Sequence, residues 1–272
     1  MHTSNLISKD DFEFYQKNGY WISPKLISDE QLEQLRLSMD NVFNGEYTTG
    51  RAPWSNWSGG PGLRQANNSH WADDTIRQLA TNPQIGEIAA TLLAANSVRV
   101  WHDQLLYKPG DPASQASANV GWHQDYFFWQ CAVEPTLITA WVAFDDVTLD
   151  NGCMQAVPGS HKWGLCNVSD FHEQNLQKQE EALRKSDGHT FAPVPLNMKA
   201  GQVSFHHALT FHGSGPNVTA APRRSLAIHL MSENTRYKSG TASEDNIAVI
   251  LAKPNEGELF AGDCFPVAYE RG

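Results

Sequence analysis

His123 and Asp125 stand two residues apart in the stretch Gly121-Trp122-His123-Gln124-Asp125-Tyr126-Phe127-Phe128-Trp129. In an extended strand, positions i and i+2 point to the same face, so an imidazole and a carboxylate would converge there. Completed by one distant histidine, such a pair is the two-His-one-carboxylate arrangement that leaves coordination positions open and suits a non-haem Fe(II) site. Among 11 histidines, only His123 has an acidic residue two positions on. His102-Asp103 and His172-Glu173 are adjacent pairs, whose side chains a strand sends apart. Taken alone, the His-x-Asp pair reads more simply as a hydrogen-bonded couple on a half-exposed strand, so the rest of the chain has to supply a third ligand.

A second cluster offers one. His206, His207 and His212 fall in a run that ends Gly213-Ser214-Gly215-Pro216-Asn217, and Arg223 and Arg224 open the next strand. In a barrel, a strand and its return partner share the interior, so either arginine is near enough in sequence to enter the same cavity. A guanidinium there clamps a carboxylate through two parallel bonds. Alternation sends Arg223 and Arg224 to opposite faces. His207 and His212 both remain candidates for the ligand, and both arginines for the clamp, on spacing alone.

Helices and strands must position these groups. Ser8-Lys9-Asp10-Asp11 and Ser28-Asp29-Glu30-Gln31 each have a capping-box pattern, so a helix should follow each, the second with Leu32, Leu35, Met39 and Val42 on one face. Gly19 should end the first, and residues 20–22 form a short strand. Residues 45–70, rich in Gly, Ser, Asn, Pro and Trp, read as an ordered loop without regular structure. Helical pattern returns at 73–79 and 85–95, and a strand begins at 97 and runs to the break at 108–112. Beyond it the pattern is β: 121–129, 137–144, a hairpin turn at Asp150-Asn151-Gly152, then 153–157, 203–205, 211–212, 226–231 and 247–251. Residues 170–188, rich in Gln and Glu, read as a helical insertion or mobile loop. Helices first and short strands after suggest a mainly β protein with flanking helices, a double-stranded β-helix (jelly roll, cupin-like) core under an N-terminal helical layer. We expect one domain over 1–272, with helical buttress and loop to 96, jelly roll from 97, and the insertion at about 170–190.

Composition narrows the partners. With 30 acidic against 20 basic residues the net charge is -10, which opposes a phosphate-tracking surface and favours a small-molecule substrate over nucleic acid. Four scattered cysteines lack metal-knuckle spacing and are expected to be reduced. The N-terminal Met1-His2-Thr3-Ser4-Asn5-Leu6-Ile7 has no signal-peptide pattern, no apolar run approaches the ~20 residues a membrane span needs, and Glu270-Arg271-Gly272 matches no peroxisomal tripeptide. A cytoplasmic monomer or homodimer without membrane contact is the expectation.

The ordered set His123-Gln124-Asp125, Trp141, Asn151-Gly152-Cys153, Pro158-Gly159-Ser160-His161, Gly201-Gln202-Val203, His212-Gly213-Ser214-Gly215-Pro216-Asn217 and Arg223 resembles the phytanoyl-CoA dioxygenase family of Fe(II)/2-oxoglutarate-dependent oxygenases. The resemblance runs over about 101–231. It implies that His123, Asp125 and His212 bind Fe(II), that Arg223 holds 2-oxoglutarate, and that Ser214, Trp141 and, by spacing, Leu105 line the cosubstrate pocket. His206, His207 and His229 then become structural, and Pro158-Gly159-Ser160-His161 a scaffolding turn. The implied reaction is hydroxylation of a C–H bond of a small metabolite with O2, releasing succinate and CO2. Related halogenases have a small residue in place of the carboxylate, so Asp125 favours hydroxylation.

Of Tyr126, Phe127, Phe128 and Trp129, alternation along a strand would turn two toward the interior as a substrate wall, with core packing the competing reading. Gln104, Asn119 and the Trp54/Trp57 loop are further pocket candidates. Two alternatives stay open: another 2-oxoglutarate-driven oxidation (desaturation, cyclisation or epoxidation) in natural-product biosynthesis, and a non-oxidative cupin-like metal-binding protein. The latter has no need of an arginine clamp beside its metal.

Overall fold

The computed structural model describes residues 6–57, 62–110, 112, 118–133, 136–185 and 189–272. Residues 58–61 of the loop at 45–70, Asp111 of the break at 108–112 and 186–188 of the insertion lie outside them. Helix α1 (Lys9–Asn18) starts at Ser8, whose hydroxyl accepts from Asp11 N while the Asp11 carboxylate accepts from Ser8 N. It ends at Gly19, whose φ of 78° suits a residue without Cβ. After strand β1 (Tyr20–Ile22) the same device at Ser28 and Gln31 starts α2 (Asp29–Phe43), with Leu32, Leu35, Met39 and Val42 buried.

Residues 45–70 depart from expectation. They contain a hairpin of β2 (Ser55–Trp57) and β3 (Arg64–Asn67). Its side-chain ties are amides rather than alternating apolar residues: Gln65 Nε2 donates to Asn67 Oδ1 and Asn67 Nδ2 to Ser55 Oγ, each at 2.8 Å. A pattern search for hydrophobic alternation passes over such a strand. Helices α3 (Asp74–Ala80) and α4 (Pro83–Leu93) follow, capped by Asp73 and Asn82, and lead into the long strand β4 (Ser97–Lys108).

Then come β5 (Val120–His123), a 3-10 turn at Asp125–Phe128, β6 (Ala132–Val133), β7 (Leu137–Ala143), β8 (Met154–Ala156), α5 (Leu176–Lys185), β9 (Val194–Pro195), β10 (Val203–His207), β11 (His212–Ser214), β12 (Arg223–Ser232), β13 (Arg236–Tyr237), α6 (Ile247–Ala252) and β14 (Val267–Glu270). Among the described residues, an eight-stranded sheet in the order β1-β10-β7-β12-β4-β3-β2, with β14 on β4, and a four-stranded sheet β5-β11-β8-β9 make up the jelly roll. Alternation sorts the large sheet. Leu105, Ile138, Val142, Phe205, Leu226 and Ile228 pack with the helical layer, whereas Leu106, Trp141, Ala143 and Ala227 meet Cys153 and Met154 on the side of the small sheet. The functional groups sit between the sheets. No described helix is long and apolar enough to cross a membrane.

Three expected strand features are corrected. Residues 121–129 are not one strand: β5 stops at His123, and Gln124 is fastened sideways, donating to Gly164 O and Leu209 O and accepting from Cys166 N. The chain curls there, so alternation does not govern residues 126–129. Asn151-Gly152 closes no hairpin, because β7 and β8 lie in different sheets and Gly152, at φ 72°, ends the 3-10 turn Leu149–Asn151 that carries the chain across. Residues 247–251 belong to α6, started by the Asn246 cap; a short unbroken apolar run fits helix or strand equally. The insertion does carry a helix, α5, and crosses β5 so closely that a Cβ on Gly121 would lie 2.0 Å from Asp170 O.

Candidate active site

His123 ends β5, Asp125 opens the following turn, and His212 begins β11, where it is the direct cross-strand partner of His123. One ligand atom from each lies within 4.8 Å of the other two. His123 Nδ1 is 2.7 Å from Gly121 O and His212 Nδ1 3.0 Å from Thr210 O. A carbonyl only accepts, so both Nδ1 atoms carry a proton, and in the neutral ring that metal ligation requires each Nε2 presents a lone pair. Those lone pairs face Asp125 Oδ1 at 3.5 and 3.7 Å. Three electron-rich atoms aimed at one buried point repel each other unless a cation stands between them, and two imidazoles with one carboxylate are the donor set of non-haem iron. The residues fit Fe(II). His207 does not compete: its Nδ1 accepts from Leu209 N and its ring lies beside His161.

Asp125 has a second set of partners on Oδ2. Thr139 on β7 donates to it at 2.7 Å, and His206 Nε2 lies 3.3 Å away. The one hydroxyl hydrogen of Thr139 is thereby used, so the 2.8 Å contact between Thr139 Oγ1 and His229 Nδ1 is donated by the imidazole. Burial by itself would raise Asp125, but His212 and the close contacts of His123 and His206 outweigh it and hold the carboxyl well below its usual range. Burial, then His123 and His206, keep His212 well below the usual histidine value; burial and His102 do the same for His229. A low carboxyl pKa on Asp125 and a low imidazole pKa on His212 both favour the protonation state that metal ligation requires.

A small cavity of about 50 Å³ adjoins this cluster, with His212, Trp141, Ser214 and Arg223 in its walls. Arg223 donates to Gly152 O at 2.6 Å, and its guanidinium carbon stands 5.1 Å from the Trp141 ring centre. Its Nε has no partner among the described residues. Beside it is a group the sequence reading missed. Lys108 is fully buried and donates to Ser214 Oγ at 2.7 Å and to Gly215 O. Burial pushes Arg223 down to about 10, and burial together with Arg223 holds Lys108 well below the usual lysine value. Among the described residues, no carboxylate is within ion-pair distance of either. Arg224 faces away and grips Asp145 through Nε and Nη2 at 3.0 and 2.8 Å.

Leu105 does not line this cavity. It packs against the helical layer, while its neighbours Gln104 and Leu106 face the cavity; spacing alone misplaces the position by one residue, which in a strand reverses the face.

A larger cavity of about 250 Å³ opens over His123 and Asp125, with Trp54, Trp57, Gln104, Phe128, Trp129 and His229 in its walls. Tyr126 and Phe127 are not among them: the Tyr126 hydroxyl donates to Ala132 O and its ring joins the cluster around Trp101, while Phe127 packs on Phe128. Asn119 is tied to Gln174 instead. Phe171 and His172 of the insertion, Gln65 and Asn67 of the hairpin, and Asn246 and Ile247 at the start of α6 complete the wall. Only the fold assembles these remote segments. Lys108 did carry a signal, being a lysine on the same strand face as Gln104 and Leu106.

The family model for phytanoyl-CoA dioxygenase (PhyH) matches residues 15–225, a span that holds the triad and both buried cations. The chain belongs to that family. Rat peroxisomal phytanoyl-CoA dioxygenase is 26% identical over 263 residues, 90% of this chain and 75% of that enzyme. The epimerase SnoN, solved with Fe3+, alpha ketoglutarate and nogalamycin RO, is 27% identical with a TM-score of 0.72, over 96% of this chain and 98% of its own. EctD from S. alaskensis, solved with 2-oxoglutarate and 5-hydroxyectoine, shares the fold at 21% identity and a TM-score of 0.71, over 100% of this chain and 90% of its own. This phytanoyl-CoA dioxygenase family member is an Fe(II)- and 2-oxoglutarate-dependent oxygenase that uses O2.

Proposed function

We propose that the enzyme, a single oxygenase domain, hydroxylates a C–H bond of a small-molecule metabolite and releases succinate and CO2. His123, Asp125 and His212 hold Fe(II), and Arg223 holds the distal carboxylate of 2-oxoglutarate, with Lys108 behind the cavity wall on Ser214. The observation that carries the reading is buried Arg223 in the wall of a cavity that His123, Asp125 and His212 also line, with buried Lys108 donating to Ser214 of the same wall. A buried guanidinium without counter-charge is costly, and a dicarboxylate offsets that cost.

The protein's own part is to bind, orient and exclude water. When bound, iron and 2-oxoglutarate activate O2 and supply the oxidant for the C–H bond. Gly121 O and Thr210 O fix the two imidazoles in the tautomer that offers Nε2, and Thr139 fixes the carboxylate so that Oδ1 faces them. Lys108 orients Ser214, Trp141 covers the guanidinium, and Phe128 and Trp129 wall the reacting centre. Asp125 would supply the carboxylate ligand that related halogenases replace with a small residue, which favours hydroxylation over halogenation.

A second reading is favoured by the likeness to SnoN, an epimerase: removal of a hydrogen from carbon and return of one to its opposite face with the help of an external reductant, without oxygen insertion. Product mass separates the two, since hydroxylation adds one oxygen atom and epimerisation none. Four unpaired cysteines suit a reducing compartment, which supports a cytoplasmic location. Anaerobic titration of the Fe(II)-loaded protein with 2-oxoglutarate tests the core of the proposal. A weak visible charge-transfer band is expected, and its absence at saturating ligand refutes the cosubstrate assignment.

A further inference from the structure

Resting on the oxygenase reading above, we infer that the outer cavity takes an uncharged ring bearing hydroxyl groups at its edge, of which a glycoside is the simplest class. We assign His229 as the acceptor for one of those hydroxyls beside the metal.

Charge comes first. Among the described residues that line the cavity, there is no lysine and no arginine, and the one carboxylate, Asp125, is committed to the cluster below. Among these described walls a phosphate of an acyl-CoA or a free carboxylate would find no counter-ion, and desolvating it there is costly. The two buried cations, Lys108 and Arg223, do not line this cavity.

The walls say what is welcome instead. Trp54, Trp57, Phe128, Trp129 and Phe171 offer aromatic surface, on which the C–H face of a saturated ring or an aromatic ring can lie. Between them stand the amides of Gln65 and Gln104, whereas that of Asn246 is spent on Phe128 O and Ala248 N. An amide both donates and accepts, which matches a hydroxyl and is wasted on a hydrocarbon chain. The Gln104 side chain makes no hydrogen bond among the described residues, although the strand face it occupies is largely buried. A cavity of about 250 Å³ holds a ring or two of a larger molecule, near the lower end of small-molecule sites (~300 Å³ and above).

His229 supplies the directional contact. Its Nδ1 proton is spent on Thr139, whose own hydrogen goes to Asp125. In the neutral ring, Nε2 is then an acceptor only. That atom is buried and has no partner among the described residues, and the ring borders both the outer and the cosubstrate cavities. An unpaired acceptor at the junction asks for an O–H or N–H on the substrate near the bond that reacts.

The test uses the whole chain loaded with Fe(II) and 2-oxoglutarate. The probes are a set of neutral alkyl and aryl glycosides, hexadecanoyl-CoA as the charged acyl thioester, and choline as the cation. Displacement of the visible charge-transfer band without O2 reports binding, and succinate release in air reports productive seating. Glycosides are expected to displace the band and raise succinate release; hexadecanoyl-CoA and choline are not. Gln104→Leu and His229→Phe should each weaken the best glycoside by about tenfold, the worth of one lost hydrogen bond. If wild type shows no band at all, the oxygenase reading fails. A normal band that no glycoside displaces, or that hexadecanoyl-CoA or choline displaces better, overturns the substrate class alone. Unchanged glycoside affinity in both variants overturns the assigned contacts.

Discussion

Lys108 Nζ donates to Ser214 Oγ across 2.7 Å in a fully buried setting, with Arg223 as the neighbouring charge. Burial and that like charge both hold Lys108 well below the usual lysine value. A dianion held at Arg223 acts in the opposite direction and raises Lys108. A group whose pKa rises on binding takes up a proton at any pH between its free and bound values. Binding of 2-oxoglutarate is therefore expected to bring proton uptake and to weaken as pH rises through the bound-state value. Calorimetry in buffers of differing ionisation heat reads the uptake. Lys108→Met should abolish it and raise the 2-oxoglutarate KM by about 10- to 100-fold, since a hydrogen bond to a charged group is worth ~1.5–3 kcal/mol. Identical heats in all buffers for wild type would show that Lys108 does not change protonation on binding.

Leu105 and Leu106 provide a contrast within one strand. Leu105 is buried among the helices and Leu106 faces the small cavity. Leu105→Ala is expected to cost ~2–5 kcal/mol of stability and to leave the 2-oxoglutarate KM at its wild-type value. Leu106→Ala should change that KM. Denaturant titration beside steady-state kinetics checks the pair, and the reverse pattern would return Leu105 to the cosubstrate wall.

The same contrast shows what the sequence could and could not disclose. The jelly roll and its helical layer were legible because capping boxes at Ser8 and Ser28 and apolar stripes are local signals. The opposite facing of Arg223 and Arg224 followed from alternation, which holds along β12. Alternation gave the wrong answer after His123, where Gln124 binds three backbone groups from 40 to 85 residues away and ends the strand. Phe171, Asn246 and the hairpin amides reach the outer cavity from three remote segments. No spacing rule joins them.

His102 makes the protein acid-sensitive above the range where carboxylates titrate. Burial pushes its pKa from 6.5 down to about 4. The folded state thus holds the neutral ring while the unfolded chain takes up a proton first. Its contribution is fully present above the unfolded value and is lost as pH falls through that window. The loss approaches an order of 3 kcal/mol at the foot of the window, at ~1.4 kcal/mol per pH unit. His207, also pushed to about 4 by burial, and His212 and His229, held low chiefly by burial, add to the slope in the metal-free protein. Urea unfolding of metal-free protein from pH 7 to 4 should show this decline, and His102→Phe should flatten it. An equal slope in the variant would place the sensitivity elsewhere.

Thr139 joins the metal cluster to the substrate cavity through a single hydroxyl, 2.7 Å from Asp125 Oδ2 and 2.8 Å from His229 Nδ1. Thr139→Val keeps the shape and removes the hydroxyl, leaving a buried carboxylate oxygen one donor short and the His229 proton free to move to Nε2. Groups that orient a metal's ligands typically contribute about 10- to 100-fold in affinity, so competition against a chromogenic chelator should show that loss for Fe(II) in Thr139→Val. Thr139→Ser, which retains the hydroxyl, should recover most of it. The proton shift adds a second effect. With Nε2 no longer held as an acceptor, Thr139→Val should also weaken any glycoside that seats on His229, even where Fe(II) and 2-oxoglutarate are saturating. If Thr139→Val binds Fe(II) as wild type does, Thr139 serves packing alone and the tautomer of His229 is set by something else.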